Sequence, residues 1–157
     1  MTAELMLSMP EQLAELPPER DPARRAELER SGVVYRGTCF ARSTVDPALL
    51  TAVGFAVLVQ EAQPHGSDAL VSLAQALAAQ SPARRITIEQ FPAGEALLVE
   101  EPTEQGRQAQ VIFVFPDGRQ LAMLGITGRD DQDWPGFRQL LDNVANSVSF
   151  VRQVTAV

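Results

Sequence analysis

The chain has no lysine, and among its 157 residues only one cysteine, one histidine, one tryptophan and one tyrosine. Each scarcity removes a class of chemistry. Without lysine there is no Schiff-base nucleophile and no Walker lysine to hold a phosphate. A single thiol, Cys39, excludes an intrachain disulfide and a cysteine-based zinc site; beside Phe40 in an apolar run it reads as a buried structural thiol. The thirteen basic residues are all arginine and face 20 acidic ones, a formal net charge of −7. That sign opposes a general nucleic-acid or anionic-membrane role, since both need a basic surface. Long apolar runs are scarce too. The longest, Ala48 to Val59, is too short to cross a bilayer, so no membrane insertion is expected. Met1 to Met6 carry no basic region or cleavage site, which predicts a soluble, cytoplasmic chain.

What is present is core. With 45% hydrophobic residues, 1–157 suits one domain, able to bury roughly 70% of its unfolded surface. The strongest local signal is the stretch from Gln110 to Phe150. Two apolar runs flank Pro116-Asp117-Gly118-Arg119, where Gly tolerates the positive φ of a tight hairpin turn. Val111, Phe113 and Phe115 point one way and Ile112 and Val114 the other, while Leu121, Met123 and Gly125 oppose Ala122, Leu124 and Ile126. A strand wet on one side alternates apolar with polar, so this hairpin is predicted to be covered on both faces. Phe137, Leu140, Leu141, Val144, Ala145 and Val148 then recur at helical spacing in a final helix from about Trp134 to Ser147.

Upstream, Leu5 to Met9 suggests a short strand, and Asp21-Pro22 opens a helix that stops at Gly32. Strands are predicted over Val33–Arg42 and Leu49–Glu61, a helix over Ala69–Gln80, and a hairpin from Arg84 to Glu101 around Phe91-Pro92-Ala93-Gly94. Together these predict a three-layer α/β/α sandwich with a central antiparallel sheet of about six strands.

Candidate chemistry is sparse. His65, Ser67 and Asp68 lie in one short turn, too close in sequence to form a nucleophile–base–orienter line, and Ser67 or Asp68 reads more simply as a helix cap. Asp131, Asp133, Gly136 and Asp142 stand at positions 1, 3, 6 and 12 of a calcium loop. Pro135 breaks the match at position 5, and Asp is too short for the bidentate position 12. Asp130, Asp131 and Asp133 are therefore read as capping the last helix and favouring its dipole. Glu89, Glu95, Glu100 and Glu101 could supply paired carboxylates for glycoside hydrolysis, but nothing in their spacing demands it. There is no phosphate loop, dinucleotide fingerprint, nucleophile elbow or H-E-x-x-H. No catalytic residue, cofactor or metal is expected.

Three function classes remain. The first is a non-catalytic module for a protein partner, bound through loops 63–68 and 128–134 or an exposed edge strand, with Trp134, His65 and Arg129 as contact residues. Trp134 reads otherwise as a hydrophobic cap over the sheet. The second is a carrier of a small apolar ligand between sheet and helix, where Gly54, Ala56, Ala74 and Ala78 leave space. The third and least favoured is a hydrolase. A monomer or weak homodimer is expected.

The order strand–PDG–strand–loop–Trp–helix resembles the PsbP-like/Mog-like α/β/α sandwich superfamily, especially its short actinobacterial members. Pro116 to Arg119, Leu121, Ala122, Leu124, Trp134, Phe137, Leu140, Leu141, Val144 and Ser147 to Phe150 carry the resemblance, with Asp21 to Phe40 also fitting. It implies a non-enzymatic role within a protein complex, of the kind seen in photosystem assembly, small-GTPase binding and bacterial envelope or secretion systems.

Overall fold

The computed structural model describes residues 3–11, 13–42, 50–61, 69–104, 106–129 and 133–152. Within them the chain runs β1 (Ala3–Met6), β2 (Ala14–Glu15), α1 (Pro22–Arg30), β3 (Val33–Arg42), β4 (Leu50–Glu61), α2 (Ala69–Gln80), β5 (Arg85–Phe91), β6 (Gly94–Thr103), β7 (Gly106–Val114), β8 (Gln120–Gly128), α3 (Trp134–Asn146) and β9 (Ser149–Arg152). Seven strands form one antiparallel sheet in the order β2-β3-β4-β8-β7-β6-β5, and β1 pairs with β9 in a separate two-stranded ribbon.

This overturns the α/β/α sandwich with about six strands. Strand dominates: the described residues hold nine strands and three short helices. The strands beyond those expected, β2 and β9, are too short to carry a period. Ala3–Met6, overlapping the strand expected over Leu5 to Met9, pairs with Ser149–Arg152 across the whole chain. Their ribbon, together with α3, covers the face where a full helical layer was expected. Phe150 of β9 anchors it, with ring centroids 6.2 Å from Phe113 and 4.8 Å from Phe115. On the opposite face α2 packs mainly on β5 and β6.

The local signals otherwise behave as physics requires. Asp21 caps α1, its Oδ1 accepting from the Ala23 N–H at 3.3 Å, and α1 stays wet with no buried residue. Gly32 follows with φ +79°, and its carbonyl accepts from the Val59 N–H at 2.8 Å, tying the helix exit to β4. In the β7–β8 turn Gly118 has φ +73°, and Asp117 Oδ1 accepts from the Arg119 N–H at 2.8 Å. α3 buries Trp134, Leu140, Leu141, Val144 and Ala145 against β7 and β8. This main core also holds Val53, Phe55, Val57, Val111, Phe113, Leu124 and Ile126; a smaller one under α2 centres on Leu97, Val99 and Ile112. Burying each such side chain contributes about 1.5–3 kcal/mol.

Candidate functional site

The sheet face that α2 only partly covers carries a groove of about 280 Å³. Strand register explains it. Arg36 on β3 lies opposite Ala56 on β4, Ala56 opposite Gly125 on β8, and Gly125 opposite Gln110 on β7. One step along the strands, Thr38, Gly54, Thr127 and Gln108 form a parallel row. Residues opposed across a ladder share a face, so both rows look out on the same side. Gly54, Ala56 and Gly125 make a floor with almost no side chain. Leu16 and Leu58 give apolar walls, while Arg36, Thr38, Gln108, Gln110 and Thr127 bring a guanidinium, hydroxyls and amides.

The glycines make the concavity. A Cβ on Gly54 would stand 3.2 Å from Thr127 Oγ1, and one on Gly125 would stand 3.4 Å from Gln110 Cγ. Larger side chains at either place would fill the groove. Arg36 is already half committed, since its guanidinium lies 3.9 Å from Glu19 and 3.5 Å from the Pro17 carbonyl.

A larger cleft of about 560 Å³ opens between residues 15–19, α1 and β3. Its arginines serve the fold. Arg25 donates twice to the Glu19 carbonyl, at 2.8 and 2.6 Å, and so pins the Pro17-Pro18 segment over α1. Tyr35, also on its wall, has its phenol pushed up by burial and by Glu15, which keeps it neutral.

The other sequence candidates fall apart in space. Glu100 and Glu101 are neighbours on β6 and point to opposite faces. Glu100 accepts from Arg138 Nε at 2.7 Å and Glu101 from Arg84 Nε at 3.0 Å. Glu89 and Glu95 are exposed on the β5–β6 hairpin, again on opposite faces. Asp142, position 12 of the calcium spacing, accepts from Arg138 Nη1 at 2.6 Å inside α3. Among the described residues no cluster of three His, Cys, Asp or Glu could hold a metal ion. Asp133 occupies the N-cap position of α3 but makes no side-chain cap bond, so the capping predicted for it does not occur there. His65, Ser67, Asp68, Asp130 and Asp131 lie outside the described residues.

Trp134 is 4% exposed and belongs to the main core. Its ring lies 3.5 Å from where a Cβ on Gly128 would stand, so it lids the end of β8. Arg129, which follows Gly128 in the chain, is exposed. Gly54 and Ala56 do line the groove, Ala74 packs from α2 onto the smaller core, and Ala78 is exposed. The space for a ligand therefore lies beside α2 and is walled by strands. The groove residues that sequence reasoning missed include Arg36, Thr38, Gln108, Gln110, Gly125 and Thr127. Their signal was a period-two pattern of small or polar residues, Gln108-x-Gln110, Gly54-x-Ala56 and Gly125-x-Thr127, interrupting apolar strands.

Burial opposes the charge on Arg138, yet the hydrogen bonds it donates to Glu100 and Asp142 outweigh that and raise the guanidinium pKa. This triad joins α3 to β6, and the Arg138 side chain is only 15% exposed. Arg138→Ala strands two carboxylates and is expected to cost about 1–3 kcal/mol. Urea denaturation measures it, and a loss within about 0.5 kcal/mol would mean the triad is ornamental.

No family model and no curated protein matches this chain. The PsbP-like/Mog-like resemblance thus gains no support from comparison. In three dimensions the chain is similar to LpqN of Mycobacterium tuberculosis, a protein involved in cell envelope biogenesis, with a TM-score of 0.52 and 11% identity over 96% of this chain and 85% of that one. At that identity the likeness speaks for the fold. No described helix is long and apolar enough to cross a membrane.

Proposed function

We propose that the chain is a non-catalytic interaction or accessory module linked to a bacterial envelope or secretion complex, and that the groove over Gly54, Ala56 and Gly125 receives a side chain of its protein partner. The observation that carries this reading is a concave, glycine-floored patch on the face of the sheet that α2 only partly covers. Its volume of about 280 Å³ lies just under the roughly 300–1,000 Å³ of small-molecule sites, and suits one large side chain ringed by polar groups. The envelope link draws support from the likeness to LpqN. The non-catalytic reading draws it from Glu100, Glu101 and Asp142, which are held in ion pairs.

Gly125→Leu tests this. A Cβ there meets Gln110 only at ordinary contact distance, so the variant folds with its groove filled. Crosslinking in the native host is expected to recover a specific envelope-associated partner with the wild type and at least about tenfold less with the variant. Equal recovery would remove the groove from recognition.

A second reading, carriage of a small apolar ligand in the same groove, is favoured by the small floor residues. Native mass spectrometry of protein isolated from the host would show a bound mass that Gly125→Leu expels. A protein with no added mass refutes it.

A further inference from the structure

The two ends of the seven-stranded sheet are built differently. At one, β2 is only two residues long and is flanked by Pro10, Pro17 and Pro18, which donate no backbone hydrogen bond. At the other, all seven residues of β5 pair with β6, and no described strand lies outside it. Ile88, at the middle of this edge, is 46% exposed.

The phase of the edge follows from the turn. Pro92 and Ala93 form a two-residue loop closing on Phe91 opposite Gly94, and such a closing pair exchanges both backbone bonds. Alternation then commits the backbone groups of Phe91, Glu89, Thr87 and Arg85 to β6. Those of Ile86, Ile88 and Gln90 face outward. An added antiparallel strand must set its own outward residues against these.

We propose that β5 pairs with β5 of a second copy of this chain about a two-fold axis at Thr87, joining the two sheets into one. In that register Ile86 opposes Ile88 of the second copy, Thr87 opposes its own counterpart, and Arg85 opposes Glu89, with each unlike pair made twice. Ile86 and Ile88 exchange the new backbone bonds and share the α2 face. Arg85, Thr87 and Glu89 share the other face, at positions without backbone bonds, where side chains approach most closely. Aliphatic, threonine and opposite-charge cross-strand pairs are all favourable. Arg85 and Glu89 are both exposed, and Thr87 Oγ1 holds Glu89 Oε1 at 3.3 Å. Sliding by one outward residue sets Arg85 against Phe91 and Thr87 against Glu89, which loses both ion pairs. The strand is thus self-complementary in charge and shape in one register, as an isologous interface requires.

Sedimentation equilibrium of the full chain, up to about 1 mM, reads this out. A reversible dimer is expected. Arg85→Glu and Glu89→Arg, made singly, each set like charges opposite one another and weaken association about tenfold or more. The double variant exchanges the two charges and returns the dissociation constant to within about threefold of wild type. Ile88→Pro, which removes an outward N–H without touching a bond to β6, abolishes the dimer while the circular dichroism of the fold is kept. A wild type monomeric across that range overturns the proposal. So do single variants that associate normally, or a double variant as weak as the singles.

Discussion

Trp134→Ala is expected to lower stability by about 3–5 kcal/mol, the range for removing a buried aromatic from a packed core. The indole is 4% exposed and lies in one cluster with Val53, Leu140 and Leu141. It also sits against Gly128, where even a Cβ would come within 2.8 Å of Val53 Cγ1. Glycine at 128 and tryptophan at 134 are therefore one packing decision: the absent side chain lets the ring close over the end of β8. For a chain of this size each kcal/mol moves the melting temperature by roughly 2–4 °C, so the variant should melt some 6–20 °C lower. Calorimetry decides it. A loss under about 1 kcal/mol would show the ring to be expendable to the core.

Gly32→Ala should cost at least about 3 kcal/mol, while Gly118→Ala costs about 1. Both glycines have positive φ, +79° and +73°, so the left-handed penalty is common to both. They differ in surroundings. A Cβ on Gly32 would stand 2.1 Å from the Val59 carbonyl oxygen, whereas nothing lies within 4 Å of the one on Gly118. That oxygen is backbone of a central strand, and the Gly32 carbonyl is bonded to the Val59 N–H, so neither can step aside cheaply. Paired chemical denaturations isolate the clash, because subtracting the Gly118 result removes the conformational part. Equal losses at the two sites would mean that β4 yields.

Local order was legible where one short-range interaction decides it. Asp21-Pro22 opens α1, Asp117-Gly118 turns the β7–β8 hairpin, and the spacing from Phe137 to Ala145 makes α3; each rests on groups within a few residues of one another. The apolar strands from Val33 to Ile126 could be found for the same reason. The layer count could not. β9 has no pattern of its own, and the ribbon it makes with β1 forms where Leu5 meets Phe150 across the chain.

The groove illustrates the same division. Gly54 and Ala56 stood out as small residues able to leave space. Gly125, Gln108, Gln110 and Thr127 join them only through register, since β8 runs between β4 and β7. A one-residue slip in that pairing would turn these side chains to the other face. Composition alone disposed of lysine Schiff-base, intrachain disulfide and cysteine-based zinc chemistry, because no folding of this chain can supply an absent side chain. Which helix faces stay wet, where the sheet lies open and which strand ends it were settled by packing, because each depends on contacts between segments far apart in the chain.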